Sequence, residues 1–191
     1  MTDFFALLEQ PRQPWLDPDA LKETFHQLAR ATHPDIRPGE LSIAFERINE
    51  AYRVLLDPKL RIQHLLALEN IAPLTTDLAP PEDLQGLFLR IGTLSQKSQR
   101  VLAQFGSASD ALSRSLVLRD LLLLRSETTA LLQELSHSCE NCLGELQQSN
   151  ELWQKNRPEA VTHLQALSDR IAYLSRWLAQ IQEIEFQLSL Q

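Results

Sequence analysis

The apolar residues of this chain recur mostly at three- and four-residue intervals, and this spacing predicts helices throughout. Up to residue 70 the predicted helices are short and cover "DFFALLEQ", "PDALKETFHQLARATH", residues 40–56 and "KLRIQHLLALEN". Asp17-Pro18 and Asp57-Pro58 each combine a capping carboxylate with a proline at the first helical position, which is a strong start signal. Strict alternation of apolar and polar residues is missing, as are Asn-Gly and Asp-Gly turns, so we expect an all-α fold.

Long helices follow residue 81, because nine of the ten prolines lie at or before that position. We predict helices from about 81 to 105, from about 110 to 155 and from about 158 to 188. The last one has near-heptad apolar spacing, which is typical of helices that share a packing seam. These three helices are expected to form an antiparallel bundle. The predicted organisation is therefore an N-terminal domain at 1–72, a proline-rich linker at 73–82 and a C-terminal three-helix bundle at 83–191.

The tripeptide His33-Pro34-Asp35 stands at the tip of a predicted antiparallel helix hairpin, where packing requires none of these residue types. Proline ends the preceding helix, but Gly or Asn would serve a plain turn equally well. The imidazole and the carboxylate instead place a donor/acceptor ring and an anion at an exposed tip. Such groups are suited to docking against an arginine or backbone groups of a partner. The alternative is a plain turn.

A thin cationic stripe leads to this tip. Its members, spaced so that they share one helix face, are Lys22, His26, Arg30 and His33. They lie opposite the apolar positions Leu21, Phe25 and Leu28 of the same helix. The stripe suggests a partner with a negatively charged surface, and the alternative is an ordinary solvated face.

The order of these segments resembles the J-domain, the module by which co-chaperones stimulate the ATPase of DnaK-type chaperones. The residues that carry the resemblance are "DFFALLEQ", "LKETFHQLARAT", "HPD" and "INEAYRVLLDPKLR", within about residues 3 to 69. In that family the His-Pro-Asp turn and the basic helix before it contact the chaperone. The resemblance therefore implies that His33, Pro34 and Asp35 bind the chaperone, together with Lys22, His26 and Arg30. Gln27 and Ala31 stand where many J-domains have Lys or Arg.

Within that family, "RIQHLLALEN" followed by a helical C-terminal domain resembles the HscB type. Those proteins bring the iron–sulfur cluster scaffold protein to a dedicated DnaK-type chaperone. They bind the scaffold through an apolar and acidic surface that begins on the first helix of the C-terminal domain. Here that helix reads "PEDLQGLFLRIGTLSQKSQR", in which glycines and basic residues interrupt the expected glutamates. The candidate client-binding residues are Leu84, Leu87, Phe88 and Ile91, and the alternative places them in the bundle core.

Composition narrows the remaining possibilities. The formal net charge of -7 disfavours nucleic acid as a partner. No apolar run is long enough to span a membrane, and the N-terminus lacks the pattern of a secretory signal, so we expect a cytoplasmic protein without a membrane partner. Cys139 and Cys142 in "HSCENC" have no second ligand pair, which favours buried small apolar residues over a zinc or iron–sulfur site. We expect no metal, cofactor or enzymatic activity.

Three functional hypotheses follow. The first is a co-chaperone that stimulates a DnaK-type chaperone and delivers the iron–sulfur cluster scaffold protein. The second is a J-domain co-chaperone for a different client, and the third is a non-stimulating helical adaptor with a J-like fold.

Overall fold

The computed structural model describes residues 1–32, 40–71 and 79–191, and it contains helices and no strand within these ranges. The helices are α1 (Phe4–Leu7), α2 (Pro18–Ala31), α3 (Glu40–Leu56), α4 (Pro58–Leu68), α5 (Gln85–Ser107), α6 (Ala111–Lys155) and α7 (Arg157–Ser189). A short 3₁₀ helix, Glu82–Leu84, precedes α5. The predicted all-α fold, with short helices first and long ones after, is confirmed.

Carboxylate caps fix where several helices begin, as the sequence predicts. Asp17 accepts a hydrogen bond from the amide of Asp19 at 3.0 Å, and Asp57 accepts one from the amide of Leu60 at 2.9 Å. Each cap satisfies an amide that has no partner within its own helix. The long helix α6 begins in the same way, because the carboxylate of Asp110 accepts from the amide of Ser113 at 2.8 Å.

The chain forms two compact units, and the first comprises Met1–Thr76 with Cys142–Asp169. In this unit α2 and α3 form the predicted hairpin, and the rings of Phe25 and Tyr52 stack at 4.1 Å between them. The core of the first unit is closed by apolar side chains from α1 to α4 and from the segments of α6 and α7 that belong to it. Its buried members include Phe5, Leu8, Leu21, Ile48, Leu55, Ile62, Leu65, Leu146, Trp153 and Leu164.

A loop and a helix that are distant in sequence are joined within the first unit. The Asn150 side chain accepts from the amide of Trp15 at 2.8 Å and donates to its carbonyl at 3.1 Å. The indole of Trp153 donates to the carbonyl of Arg12 at 3.0 Å. The guanidinium of Arg157 lies 4.0 Å above the Trp153 ring and pairs with Glu69 at 3.1 Å. The loop before α2 and the end of α4 are thereby fixed to this part of α6 and α7.

The second unit comprises Asp77–Asn141 with Arg170–Gln191. Its core is an apolar seam of the three long helices, with Ile91, Leu94, Val101, Leu121, Leu124, Leu135, Leu174, Trp177 and Ile181 buried. Two exposed ion pairs join α5 to α6, namely Arg90 with Glu134 and Lys97 with Glu127, each at 2.7 Å. The two units differ from the domains predicted at 1–72 and 83–191, since residues 142–169 belong to the first unit. The predicted boundaries stay a prediction.

Candidate chaperone-binding site

Helix α2 is oriented by burying one face and exposing the other. Leu21 is buried, with 1% of its surface exposed, and Phe25 stacks on Tyr52 of α3. Lys22, His26 and Arg30 are exposed. The structure therefore places these three predicted site residues on the solvent side of α2, where a partner can reach them.

The positive charge of this face is concentrated toward the C-terminal end of α2. Near the helix start, the acidic Asp19 lies in the first turn, where it interacts favourably with the helix dipole. One turn later Glu23 accepts a hydrogen bond from Gln27 at 2.9 Å. Arg30 lies in the last turn, beside the negative end of the dipole. A partner surface that is complementary to α2 is therefore expected to carry its acidic groups near Arg30.

Helix α2 ends immediately before the His-Pro-Asp tripeptide. The amide and the hydroxyl of Thr32 both donate to the carbonyl of Leu28, at 3.1 and 2.8 Å. These bonds complete the last turn of the helix. His33, Pro34 and Asp35 themselves lie outside the residues that the structure describes.

A buried arginine holds the base of the hairpin. Arg61 is 4% exposed, and its guanidinium donates to the carbonyl of Pro14 at 2.7 Å and to that of Leu55 at 2.5 Å. Burial lowers the pKa of Arg61 to about 10, while the charge of Asp57 acts in the opposite direction. A cation at this position joins the loop before α2, the end of α3 and the start of α4. It thereby supports the helices that present the candidate site.

A second buried polar side chain anchors α1. His64 is 8% exposed, and its Nε2 accepts a hydrogen bond from the amide of Phe4 at 3.1 Å. Its ring stacks on those of Phe4 and Phe5, with centroids 4.5 and 5.8 Å apart. Because Nε2 is the acceptor, the imidazole is neutral and carries its proton on Nδ1. Burial lowers the pKa of His64, the charge of Asp3 opposes this effect, and the charge of Arg12 reinforces it.

Sequence reasoning missed these supporting residues. Arg61 and His64 interrupt the apolar run of α4, which is the one signal that marks them as buried polar groups with specific partners. Asn150 and Trp15 carry no local signal, because their contact spans 135 positions along the chain.

The four candidate client residues fall into two classes. Leu84, Leu87 and Ile91 are buried in the second unit, with 7%, 9% and 2% of their surfaces exposed, whereas Phe88 is 48% exposed. The 3.6-residue helical repeat produces this division. Leu84, Leu87 and Ile91 form the buried seam, and Phe88 lies at the edge of that seam. Buried core side chains cannot contact a partner without repacking. The accessible part of the candidate client surface therefore narrows to Phe88 and its exposed neighbour Leu89.

The charges beside Leu89 are arranged between two helices. Arg90 and Lys97 of α5 pair with Glu134 and Glu127 of α6, and the hydrogen bond to Glu134 raises the pKa of Arg90. Carboxylates that the sequence of α5 lacks are therefore supplied by α6. Glu127 lines a groove together with Leu89, Thr93, Leu94, Ala130 and Leu131.

The two cysteines occupy different environments. Cys142 is fully buried, while Cys139 is half-buried, and burial followed by the charge of Glu140 raises the pKa of the Cys139 thiol. A raised pKa makes a thiol a poor nucleophile and a poor metal ligand. Within the described ranges, no three His, Cys, Asp or Glu side chains are grouped to hold a metal ion. The helices described there also include none that combines the length and hydrophobicity needed to cross a membrane.

Comparison with protein families identifies the N-terminal segment. Residues 3–64 match the family model described as the DnaJ domain. Chaperone protein DnaJ of Synechococcus elongatus is 41% identical over 64 residues, which are 32% of this chain and 22% of that protein. The DnaJ of Lachnospira eligens is 39% identical over 64 residues, which are 32% of this chain and 16% of that protein. The similarity thus spans about a fifth of these relatives, and residues 3–64 are a J-domain.

Comparison with solved structures extends over nearly the whole chain. Chaperone HscB from Vibrio cholerae superimposes with a TM-score of 0.57 at 20% identity, covering 98% of this chain and 99% of that one. Human co-chaperone protein HscB gives a TM-score of 0.56 at 19% identity, covering 96% of this chain and 82% of that one. The chain therefore has an HscB-like fold, and the resemblance to HscB-type J-domain proteins is confirmed.

Proposed function

We propose that this protein is a co-chaperone that stimulates the ATPase of a DnaK-type chaperone through its J-domain. The proposal is supported chiefly by the J-domain match, in which α2 exposes Lys22, His26 and Arg30 and ends directly before His33-Pro34-Asp35. The cationic end of α2 would attract an acidic surface of the chaperone, and the tripeptide would dock beside it. The protein would couple two binding events without an active site of its own, in the cytoplasm.

The test of this proposal is a single-turnover ATPase assay with a DnaK-type chaperone of the same organism. We expect the wild-type chain to accelerate hydrolysis and His33→Gln to lose at least nine-tenths of that acceleration. His137→Gln is the matched control, because His137 is exposed and belongs to the second unit. Equal acceleration by His33→Gln and wild type, or no acceleration by wild type, would leave only the third hypothesis, a non-stimulating helical adaptor with a J-like fold.

Charge reversal on α2 tests the electrostatic part of the proposal. Arg30→Glu places an anion at the end of α2 that faces the expected acidic surface, so the concentration for half-maximal stimulation should rise about tenfold at low salt. Because exposed charges are screened by salt, this difference should shrink at high ionic strength. Arg100→Glu, at an exposed position of α5, is the control for the change in net charge. Equal effects of the two substitutions would contradict a local role for Arg30.

We further propose that the client is the iron–sulfur cluster scaffold protein, bound at a surface centred on α5. The support is the HscB-like fold together with exposed apolar side chains at Phe88 and Leu89, which are 48% and 68% exposed. Glu127 of α6 lines a groove with Leu89, where it pairs with Lys97, and it would provide a carboxylate to the surface. Leu84, Leu87 and Ile91 would support this surface from the core.

Calorimetric titration with the purified scaffold protein tests this client. We expect binding at micromolar concentration, weakened at least tenfold by Phe88→Ser or Leu89→Ser. Leu143→Ser is the control, because Leu143 is an exposed leucine of the first unit. ATPase stimulation that persists while wild type fails to bind the scaffold would assign the protein to a different client.

A further inference from the structure

Helix α2 carries as many fixed negative charges as fixed positive ones. Asp19 and Glu23 are its carboxylates, and Lys22 and Arg30 are its permanent cations. All four side chains are exposed, so each contributes to the charge that a partner meets. Their formal charges cancel, and the helix therefore has no net charge while His26 is neutral and a positive one once that imidazole takes up a proton. The protonation state of His26 decides whether α2 is cationic at all.

The position of His26 gives its charge the greatest effect. Lys22 and Arg30 lie one turn before and one turn after it on the same side of α2, because residues four apart are neighbours on a helix. Glu23 borders this side, but its carboxylate accepts a hydrogen bond from Gln27 at 2.9 Å. Within the described part of the chain, no carboxylate pairs with Lys22, His26 or Arg30. A proton on His26 thus completes a row of three cations that is about 12 Å long.

The surroundings of His26 add no further charge to this row. Its exposed ring contacts that of Phe25, with centroids 5.4 Å apart, and Phe25 stacks in turn on Tyr52 of α3. The loop before α2 contacts the far side of the helix, where Gln10 donates to Thr24 at 3.4 Å. The charged side chains of α3 between residues 43 and 56 lie more than about a quarter turn from Tyr52. They are Glu46, Arg47, Glu50 and Arg53. The titratable group that this part of α3 places toward α2 is the phenol of Tyr52, and phenols are uncharged where histidines commonly titrate.

We propose that protonation of His26 regulates the affinity of the J-domain for its chaperone. Histidine is the side chain whose charge commonly changes between about pH 5 and 8. As the pH falls through this range, α2 gains one positive charge beside Arg30, and its attraction to an acidic chaperone surface increases. This regulation rests on the proposed co-chaperone function, to which it adds a dependence of affinity on pH.

The single-turnover ATPase assay with the DnaK-type chaperone, run in low salt at about pH 6 and at about pH 7.5, tests the proposal. The measured quantity is the concentration for half-maximal stimulation by wild type, by His26→Lys, which is charged at both pH values, and by His26→Gln, which is neutral at both. We expect wild type to approach His26→Lys at about pH 6 and His26→Gln at about pH 7.5. The two variants should differ by about threefold at either pH, which is the size of effect that one exposed ion pair has on affinity.

Comparison of the proteins at each pH removes the effects that they share. These effects are the titration of the chaperone, of His33 and of the buried His64. His137→Gln is the matched control and should follow wild type at both pH values, because His137 is an exposed histidine of the second unit. At high ionic strength the differences among the His26 variants should shrink, since exposed charges are screened.

Two results would overturn this regulation and leave the co-chaperone function intact. The first is a ratio between wild type and His26→Gln that is the same at both pH values, and the second is an equal shift caused by His137→Gln. A wild-type chain that stimulates no hydrolysis at either pH would instead contradict the co-chaperone function itself, and the regulation with it.

Discussion

Replacing Asn150 tests how firmly the J-domain is fixed to α6. The Asn150 side chain makes two hydrogen bonds to the backbone of Trp15, at 2.8 and 3.1 Å, and both residues are half-buried. A neutral hydrogen bond contributes about 1 kcal/mol net, so Asn150→Ala should reduce the free energy of unfolding by about 2 kcal/mol. For a chain of this length that corresponds to a fall in melting temperature of about 4 to 8 °C.

The direction of each hydrogen bond permits a second, isosteric substitution. Asn150→Asp keeps the acceptor for the Trp15 amide but replaces the donor with a carboxylate oxygen that faces the Trp15 carbonyl. We therefore expect Asn150→Asp to destabilise the protein at least as much as the loss of one hydrogen bond, about 1 kcal/mol. Gln154→Ala is the control, because Gln154 is exposed one turn further along α6.

Thermal and urea unfolding provide the global measurement, and hydrogen exchange provides the local one. If unfolding of the loop limits exchange at the Trp15 amide, a loss of about 2 kcal/mol should accelerate that exchange about 30-fold. Hydrogen exchange at the amide of Leu124, in the second unit, should be accelerated less by Asn150→Ala. An Asn150→Ala protein that unfolds within about 0.5 kcal/mol of wild type and retains slow exchange at Trp15 would refute the reasoning.

Three further predictions concern the core and its buried polar groups. Arg61→Met leaves two buried carbonyls without the guanidinium but also removes a desolvated cation, so we expect the free energy of unfolding in urea to fall by a net value of about 2 to 4 kcal/mol. Stability equal to wild type would contradict this expectation. Because the pKa of His64 is lowered in the folded state, the unfolded chain takes up the proton first as the pH falls. The stability that His64 contributes is fully present above the ordinary histidine pKa of 6.5 and should be lost as the pH falls through the lowered pKa of the folded state. His64→Phe should remove this pH dependence from the free energy of unfolding, measured in urea between neutral and mildly acidic pH. Leu121→Ala should reduce the free energy of unfolding by about 2 to 5 kcal/mol and Leu122→Ala by less than about 0.5 kcal/mol, since only Leu121 is buried. Equal reductions would contradict the assignment of Leu121 to the buried side of α6 and of Leu122 to its exposed side.

Helix starts and the class of fold could be predicted from the sequence because their causes are local. Asp17, Asp57 and Asp110 each cap amides two or three residues away, so the signal and its effect lie within one turn. The hairpin of α2 and α3 could be predicted for the same reason, since a short connection leaves two amphipathic helices no other partner as near.

The candidate client surface could be predicted only in part, because helical periodicity identifies a seam without showing how wide it is. Leu84, Leu87 and Ile91 follow the four- and three-residue spacing of the seam and are buried. Phe88 lies one position beyond Leu87, so its exposure depends on how far the ring of Trp177 in α7 reaches. That distance is set by the packing of two helices and is absent from the sequence of either one.

The same limit applies to the acidic character of the surface on α5. The sequence of α5 alone indicates basic residues where HscB-type proteins have glutamates, but Arg90 and Lys97 are paired with Glu134 and Glu127 of α6. Exposed pairs of this kind contribute at most about 1 kcal/mol each to stability, so their main consequence is to set the local charge. The charge beside Leu89 is therefore a property of two helices. Substituting Glu134 should alter client binding as much as substituting Arg90, although only Arg90 belongs to the helix that the sequence singles out.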